Sequence, residues 1–269
     1  MKYVTEEATN VSHLLQLIDG LADATNLVIC RGQADAAWRL EPSIDRNIVP
    51  GTTYAQRLQE ERGIVDDYRE GVKNLLPDLE TDYLYSENPD DLIKPGTVLQ
   101  HFGAPTRLLD WTASPHVAAF FAVIERWDKV GTVWWYRQQS FNDAALKERE
   151  RLGVPDPIAL AFDHRRFMFA EGSPAFVIPV LLSVPFPRAA AQQGQFTAAS
   201  RLGLLHDDLL SDLLHPNDFG RIDIPSALKR ETVTALKVRN VTAKSLEHVG
   251  ADRLGLRLAW ERTRRTVAP

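Results

Sequence analysis

Apolar residues recur at a helical period at Val11, Leu14, Leu15, Ile18 and Leu21, predicting an N-terminal helix. "NLVICRGQ" follows as a short β-rich run that stops at Arg31-Gly32. "TTYAQRLQEERGIVDDYREGVKNLLPD" predicts a long amphipathic helix, with Thr52 or Thr53 as its cap and Pro77 as its stop. "SENPDD" predicts a loop, and Pro95-Gly96 a break. "TRLLDW" reads as a strand. After it, Ser114 caps a helix whose first residue is Pro115 and which runs to about Trp127. "GTVWWYR", "PAFVIPVLLSVPF" and "RIDIP" read as strands. "KRETVTALKVRNVTAKSLE" reads as a helix followed by a short connection, and "GLRLAWERTRR" as a helix with a basic end. The stretch from Arg137 to Glu171 is the least regular and has the look of an insertion over 137–171. Strands and helices mix without regular βαβ alternation, so the pattern predicts an α+β fold in one domain over 1–269.

Composition changes this picture little. The 269 residues are 44% hydrophobic and 25% charged, enough to bury a substantial core. A net charge of −5 excludes polyanion binding by bulk electrostatics but leaves room for a local basic cleft. Cys30 is the sole cysteine, so no internal disulfide forms; with no signal-peptide pattern, the expected compartment is the cytoplasm. The longest apolar runs, such as Val117 to Ile124, are too short to span a bilayer.

Three stretches carry candidate chemistry. "LQHFGAPTRLLDWTASPHVAAFFAV" sets Gln100, His101, Arg107, Asp110, Trp111, Thr112 and Ser114 against the chain's most apolar helix. On a strand, Arg107, Leu109 and Trp111 share one face, and Leu108, Asp110 and Thr112 the other. Asp110 is then either a tuned carboxylate or a structural partner for Arg107. The N-terminus of the buried helix behind it favours a negative ligand. In "ICRGQ", Arg31 offers planar donors suited to phosphate or ribose hydroxyls, and Gly32 lets a ligand approach the backbone. The plainer reading is a strand-end arginine paired with a carboxylate. In "FPRAAAQQGQFTAAS", Arg188, Gln192, Gln193, Gln195 and Thr197 surround Gly194 and Phe196, as a ligand of mixed donors and acceptors requires, or as in a polar surface turn.

"HDDLLSDLLHPND" holds His206, Asp207, Asp208, Asp212 and His215, but the spacing matches no metal motif and reads as a solvated acidic helix face. No metal is expected. Cys30 reads as a buried strand cysteine. Phosphate loops of the Walker or Rossmann type and the G-x-S-x-G nucleophile elbow are absent from the sequence.

Together these stretches resemble the FRG-domain family, named for a Phe-Arg-Gly signature that stands here as "CRGQ". The resemblance continues through "WRLEPSIDR" (Trp38 to Arg46), "LQHFGAPTRLLDWTASPHVAAFFA" (Leu99 to Ala122) and "QQGQFT" (Gln192 to Thr197). More loosely it takes in "NVTAKSLEHVGADRLG", giving a core of about 25–256. The motif order is similar to that of ADP-ribosyltransferases. That likeness implies a split mixed β-sheet flanked by helices, NAD as cofactor, and transfer of ADP-ribose to a macromolecule, with RNA and DNA both open as targets. It further implies a toxin or phage-defence setting with an antitoxin or other regulatory partner protein, and no membrane.

On that resemblance Arg31, Asp110 and Gln193 are the catalytic candidates, Gln193 falling where those enzymes carry a glutamate. Arg31, Gly32, Gln33, Arg46, His101, Arg107, Trp111, Thr112, Ser114 and Phe196 are the NAD-binding candidates. The competing expectation is a non-catalytic FRG module that binds a nucleotide or nucleic acid.

Overall fold

The apolar alternation of "VICRGQ" and "GTVWWYR" builds the centre of a seven-stranded sheet. The computed structural model describes residues 2–21, 27–46, 48–75, 91–101, 103–154, 168–180 and 187–246. Its strands are β1 (Val4–Glu7), β2 (Val28–Gln33), β3 (Leu108–Thr112), β4 (Gly131–Arg137), β5 (Val177–Val180), β6 (Gly194–Ala199) and β7 (Phe219–Ile224). They lie in the order β1-β7-β4-β2-β3-β6-β5. The edge pair β1–β7 is parallel and every other pair antiparallel, so the sheet is mixed, as expected. The helices are α1 (Val11–Leu21), α2 (Tyr54–Leu75), α3 (Ile93–His101), α4 (Pro115–Val123), α5 (Gln138–Leu152), α6 (Pro187–Ala191), α7 (His206–Leu213), α8 (Lys229–Val238) and α9 (Ala243–Leu246). Among the described residues, no helix is long and apolar enough to cross a membrane.

Strand alternation sorts the core into three parts. On one face, Val28, Cys30, Val133, Trp135 and Ile222 pack under α1, α4 and α8. On the same face but farther along the sheet, Leu108, Ile178, Phe196 and Ala198 pack under α2 and α3. The opposite face is one layer, where Ile29, Leu109, Trp111, Trp134 and Tyr136 meet Phe141 of α5 and Leu210 of α7.

Several elements form for local reasons. Ser114 Oγ accepts from Val117 N at 3.3 Å and Pro115 opens α4. Thr53 and Gln56 form a reciprocal capping box at the start of α2, which fixes Thr53 as the cap. Asp91 Oδ1 accepts from the backbone N–H groups of Ile93 and Lys94 and starts α3.

Other expectations need correction. Pro95-Gly96 does not break the chain: it lies in the first turn of α3, where a missing N–H costs nothing. The helix after Ser114 ends at Val123 rather than near Trp127, and Arg126 then adopts a left-handed φ of 50°. Gln138–Leu152, inside the stretch read as irregular, is a helix that buries Phe141 and Ala145. "QFTAAS" is the buried strand β6 rather than a surface turn. His206 and Asp207 face inward, not to solvent. Pro77, most of "SENPDD", the end of "PAFVIPVLLSVPF" and the C-terminal basic helix lie outside the described residues.

Two contacts fix the layers. A Cβ on Gly32 would sit 1.9 Å from the Ala118 carbonyl oxygen, so the glycine lets α4 lie directly on β2. Under the other half, Arg107 donates from Nε (2.6 Å) and Nη2 to both carboxylate oxygens of Glu61 on α2. Its Nη1 reaches the carbonyls of Ala199 and Ser200, and the guanidinium stacks on Phe169.

Removing one partner of such a buried pair strands the other charge. Arg107→Met is therefore expected to cost about 3–5 kcal/mol, with Arg107→Met/Glu61→Leu recovering most of it. Urea midpoints of the single and double variants check this, and additive losses would contradict it.

Candidate functional site

Between β2 and β3 the ladder holds at a single register pair, Cys30 with Thr112. Beyond that pair, Arg31 fills the gap: its Nη1 donates to the Asp110 backbone carbonyl at 2.7 Å. By alternation Arg31 starts on the Trp134 face while Asp110 projects to the other, so the guanidinium lies in the seam itself. Burial lowers the Arg31 pKa; the Asp110 carboxylate pulls it back up, and the neighbouring charge of Arg46 opposes that.

Asp110 stands where the two apolar clusters of that face part. Its side chain is 54% exposed, with Oδ2 3.7 Å from Arg31 Nη1. Gln100 Nε2 donates to the same oxygen at 2.5 Å. The amide cannot flip, because Thr106 Oγ1 donates to Gln100 Oε1 at 2.5 Å and itself accepts from Leu108 N. One carboxylate oxygen is thus held by the fold, and Oδ1 is left for a ligand.

Around it opens a small cleft of about 50 Å³. One wall is Gln100, His101 and Asp110; the other is Arg188, Ala189 and Gln192 of the α6 region, with Gly194, Gln195 and Phe196 of β6. The Arg188 guanidinium makes no hydrogen bond or ion pair among the described residues. Asp110 is the one carboxylate among the lining residues, opposed by one partnerless guanidinium. That arrangement suits a ligand with both hydroxyl and anionic groups.

Residues 26–130 match the family model of the FRG domain. That stretch, under half of the chain, carries an FRG domain. The matched stretch contains β2, α2, α3, β3 and α4, and hence Arg31, Gln100 and Asp110. The opposite cleft wall, from α6 and β6, lies beyond it. No curated protein and no solved structure matches the chain.

The fold brings together only some of the residues expected at a site. Arg31, Asp110, His101 and Phe196 meet at the seam and cleft, and Arg46, exposed and donating to the Glu41 carbonyl, stands near Arg31. Gly32 is not an approach for a ligand on its Cα–H face, since α4 occupies that space. Gln33 is buried, accepting from Trp134 Nε1 and donating to the Arg39 carbonyl. Arg107 is committed to Glu61 and offers a ligand no exposed surface. Thr112 Oγ1 donates to the Gln192 carbonyl at 2.6 Å, so it holds the far wall rather than a ligand, and Ser114 is a helix cap. Gln193 is exposed at φ 47° and does not line the cleft; its carbonyl accepts from Ala113 N. The sequence reading gave Gln100 no separate role and missed its lock, Thr106. A Gln six residues before a Thr carries no signal until a helix and a strand fold it back.

Behind the seam, Trp111 Nε1 donates to Thr197 Oγ1 at 2.8 Å. Thr197 Oγ1 also lies 2.8 Å from His206 Nδ1, so the three side chains form one buried chain of hydrogen bonds. Burial first, then the charges of Arg31 and Arg107, push the His206 pKa down from 6.5 to about 3. The unfolded chain therefore takes up this proton first, and stability falls as pH drops from 6.5 toward 3. We expect His206→Gln to flatten this fall between pH 7 and 5, where most carboxylates stay ionised. Denaturant midpoints across that range check it; parallel slopes in both proteins would contradict it.

Proposed function

We propose that this FRG domain binds NAD in the Asp110–Arg188 cleft and transfers ADP-ribose to a macromolecule. The observation that carries the reading is Asp110, a cleft-lining carboxylate whose Oδ2 accepts from Gln100 and lies 3.7 Å from Arg31 Nη1. A carboxylate so held accepts a ribose hydroxyl and stabilises positive charge developing at the adjacent anomeric carbon. Arg188 and Arg46 bring cationic donors for the pyrophosphate, and Phe196 an apolar floor. NAD supplies the ADP-ribosyl group: its bond to nicotinamide breaks, nicotinamide leaves with the electron pair, and the target nucleophile bonds to the ribose carbon and loses its proton. Arg31 touches Asp110 through the backbone carbonyl and acts as a positioning residue. Such an activity calls for a restraining protein in the cell that makes it, which fits the toxin or phage-defence setting.

A second reading, a nucleotide-binding module without chemistry, is favoured by Gln193 lying outside the cleft and by Asp110 being its one carboxylate. Nicotinamide release from NAD, with and without RNA, DNA or lysate, separates the two. Asp110→Asn is expected to lower release about 100-fold or more, and Arg188→Ala to raise KM with less effect on kcat. Undiminished release by a folded Asp110→Asn sinks the proposal. NAD that binds and is recovered intact leaves the module.

A further inference from the structure

Apart from the cleft, two tryptophans stand 42% exposed, Trp38 and Trp127. Arg126 lies over the Trp38 ring, 5.2 Å from its centroid, and Arg230 over the Trp127 ring at 5.6 Å. Arg126 and Trp127 are consecutive, so the two pairs, Trp38 with Arg126 and Trp127 with Arg230, are joined through one stretch of backbone.

The loops that carry this run are fastened. Lys229 is buried, and its Nζ donates to the carbonyls of Ala34 (2.7 Å), Glu125 (3.0 Å) and Arg126 (2.9 Å). All three ammonium protons are therefore spent tying the loop after β2 to the loop after α4. Ala36 N donates to the Val130 carbonyl at 2.7 Å, closing the same junction. Arg126 itself is held at φ 50°, a backbone conformation that non-glycine residues rarely adopt. The backbone that carries these side chains is thus set in place before any partner arrives.

We propose that this run is a stacking surface for an unpaired nucleic-acid strand. Bases present flat π faces to indoles and guanidinia whatever their sequence, and an unpaired strand exposes those faces as a duplex does not. Charge along the run is mixed, with exposed Glu125, Asp128 and Glu231 beside Arg126, Lys129 and Arg230. Arg126 pairs with the largely buried Asp35 at 3.6 Å, and Asp128 is balanced by Lys129 at 3.8 Å. Arg230 has no carboxylate partner among the described residues and is left for a phosphate. A protein-binding hot spot of tryptophan and arginine sits inside a water-excluding apolar ring. Here the neighbours are Asp35, Asp128 and Lys129, with Val130 the one exposed large apolar residue beside them.

The surface also leads to the cleft. From Trp38 the chain runs to Ser43 and Ile44, which bond the backbone of Thr106, the residue that orients Gln100. As the target strand of ADP-ribosyl transfer this partner rests on the reading above; its binding does not.

The test uses the full chain without NAD. Labelled single-stranded 12-mers of RNA and DNA, and their duplexes, are titrated by anisotropy and by quenching of tryptophan fluorescence. Single strands should bind saturably with quenching and duplexes much more weakly. Trp38→Ala and Trp127→Ala should each weaken binding roughly 5- to 150-fold, the span of one lost base stack. Arg230→Ala should reduce the slope of log affinity against log salt by about one. Both tryptophans are exposed, so thermal melts of the variants should match the parent. Unquenched fluorescence with every strand, equal affinity for duplex, or undiminished binding by Trp38→Ala/Trp127→Ala would overturn the proposal. So would a lysate protein retained only by the parent surface when no strand binds. Failure of nicotinamide release leaves this binding result standing, and the reverse also holds.

Discussion

The Arg31 guanidinium replaces backbone pairing where the sheet nearly parts. In an antiparallel pair with Cys30 opposite Thr112, the Asp110 carbonyl would ordinarily be met by β2 backbone. A side chain from the strand meets it instead. The arginine thus ties β2 to β3 where their backbone ladder stops. The same bond brings a cation to the carboxylate of the residue whose carbonyl it serves. Structure and candidate chemistry therefore share one interaction.

The seam also explains why so many polar groups crowd the most apolar stretch of the chain. The upper face of the sheet has two cores, one under α4 and one under α3, and Asp110 lies at their boundary. An apolar residue there would join the cores and close the cleft. Gln100 and Thr106 instead satisfy one another at the boundary, and Thr112 donates to the Gln192 carbonyl of the far wall. Two buried contacts, α4 on Gly32 and Glu61 on Arg107, keep each core rigid on its own side.

Features with local causes were legible in the sequence. Ser114-Pro115 announced α4, and the period of Val11, Leu14 and Ile18 announced α1, because capping and amphipathicity act within a turn or two. The α+β class and the FRG resemblance followed from such pieces in order. What failed depended on distant partners. Arg107 and Arg31 look alike as arginines next to strands; Glu61, 46 residues away, makes the first structural. Gly32 was read as an opening for a ligand, but only the packing of α4 decides what fills the space beside it. β1 was missed because "VTEE" is too short and polar to alternate, and β6 because its amides and alanines hid a buried strand. His206 was assigned to solvent because three acidic residues follow it closely, whereas its fate was set by Thr197 on a neighbouring strand.

One consequence follows from where the sole cysteine sits. Cys30 is fully buried, belongs to the single pair that joins β2 to β3, and its thiol is pushed far up by burial. A thiol in that state is inert to oxidants and alkylating reagents, which act on the thiolate. Its modification must wait for the helices packed over that face, α1, α4 and α8, to lift away. The chain thus carries an internal clock for that opening, and the rate at which the native protein loses its thiol reads how often the helical layer leaves the sheet.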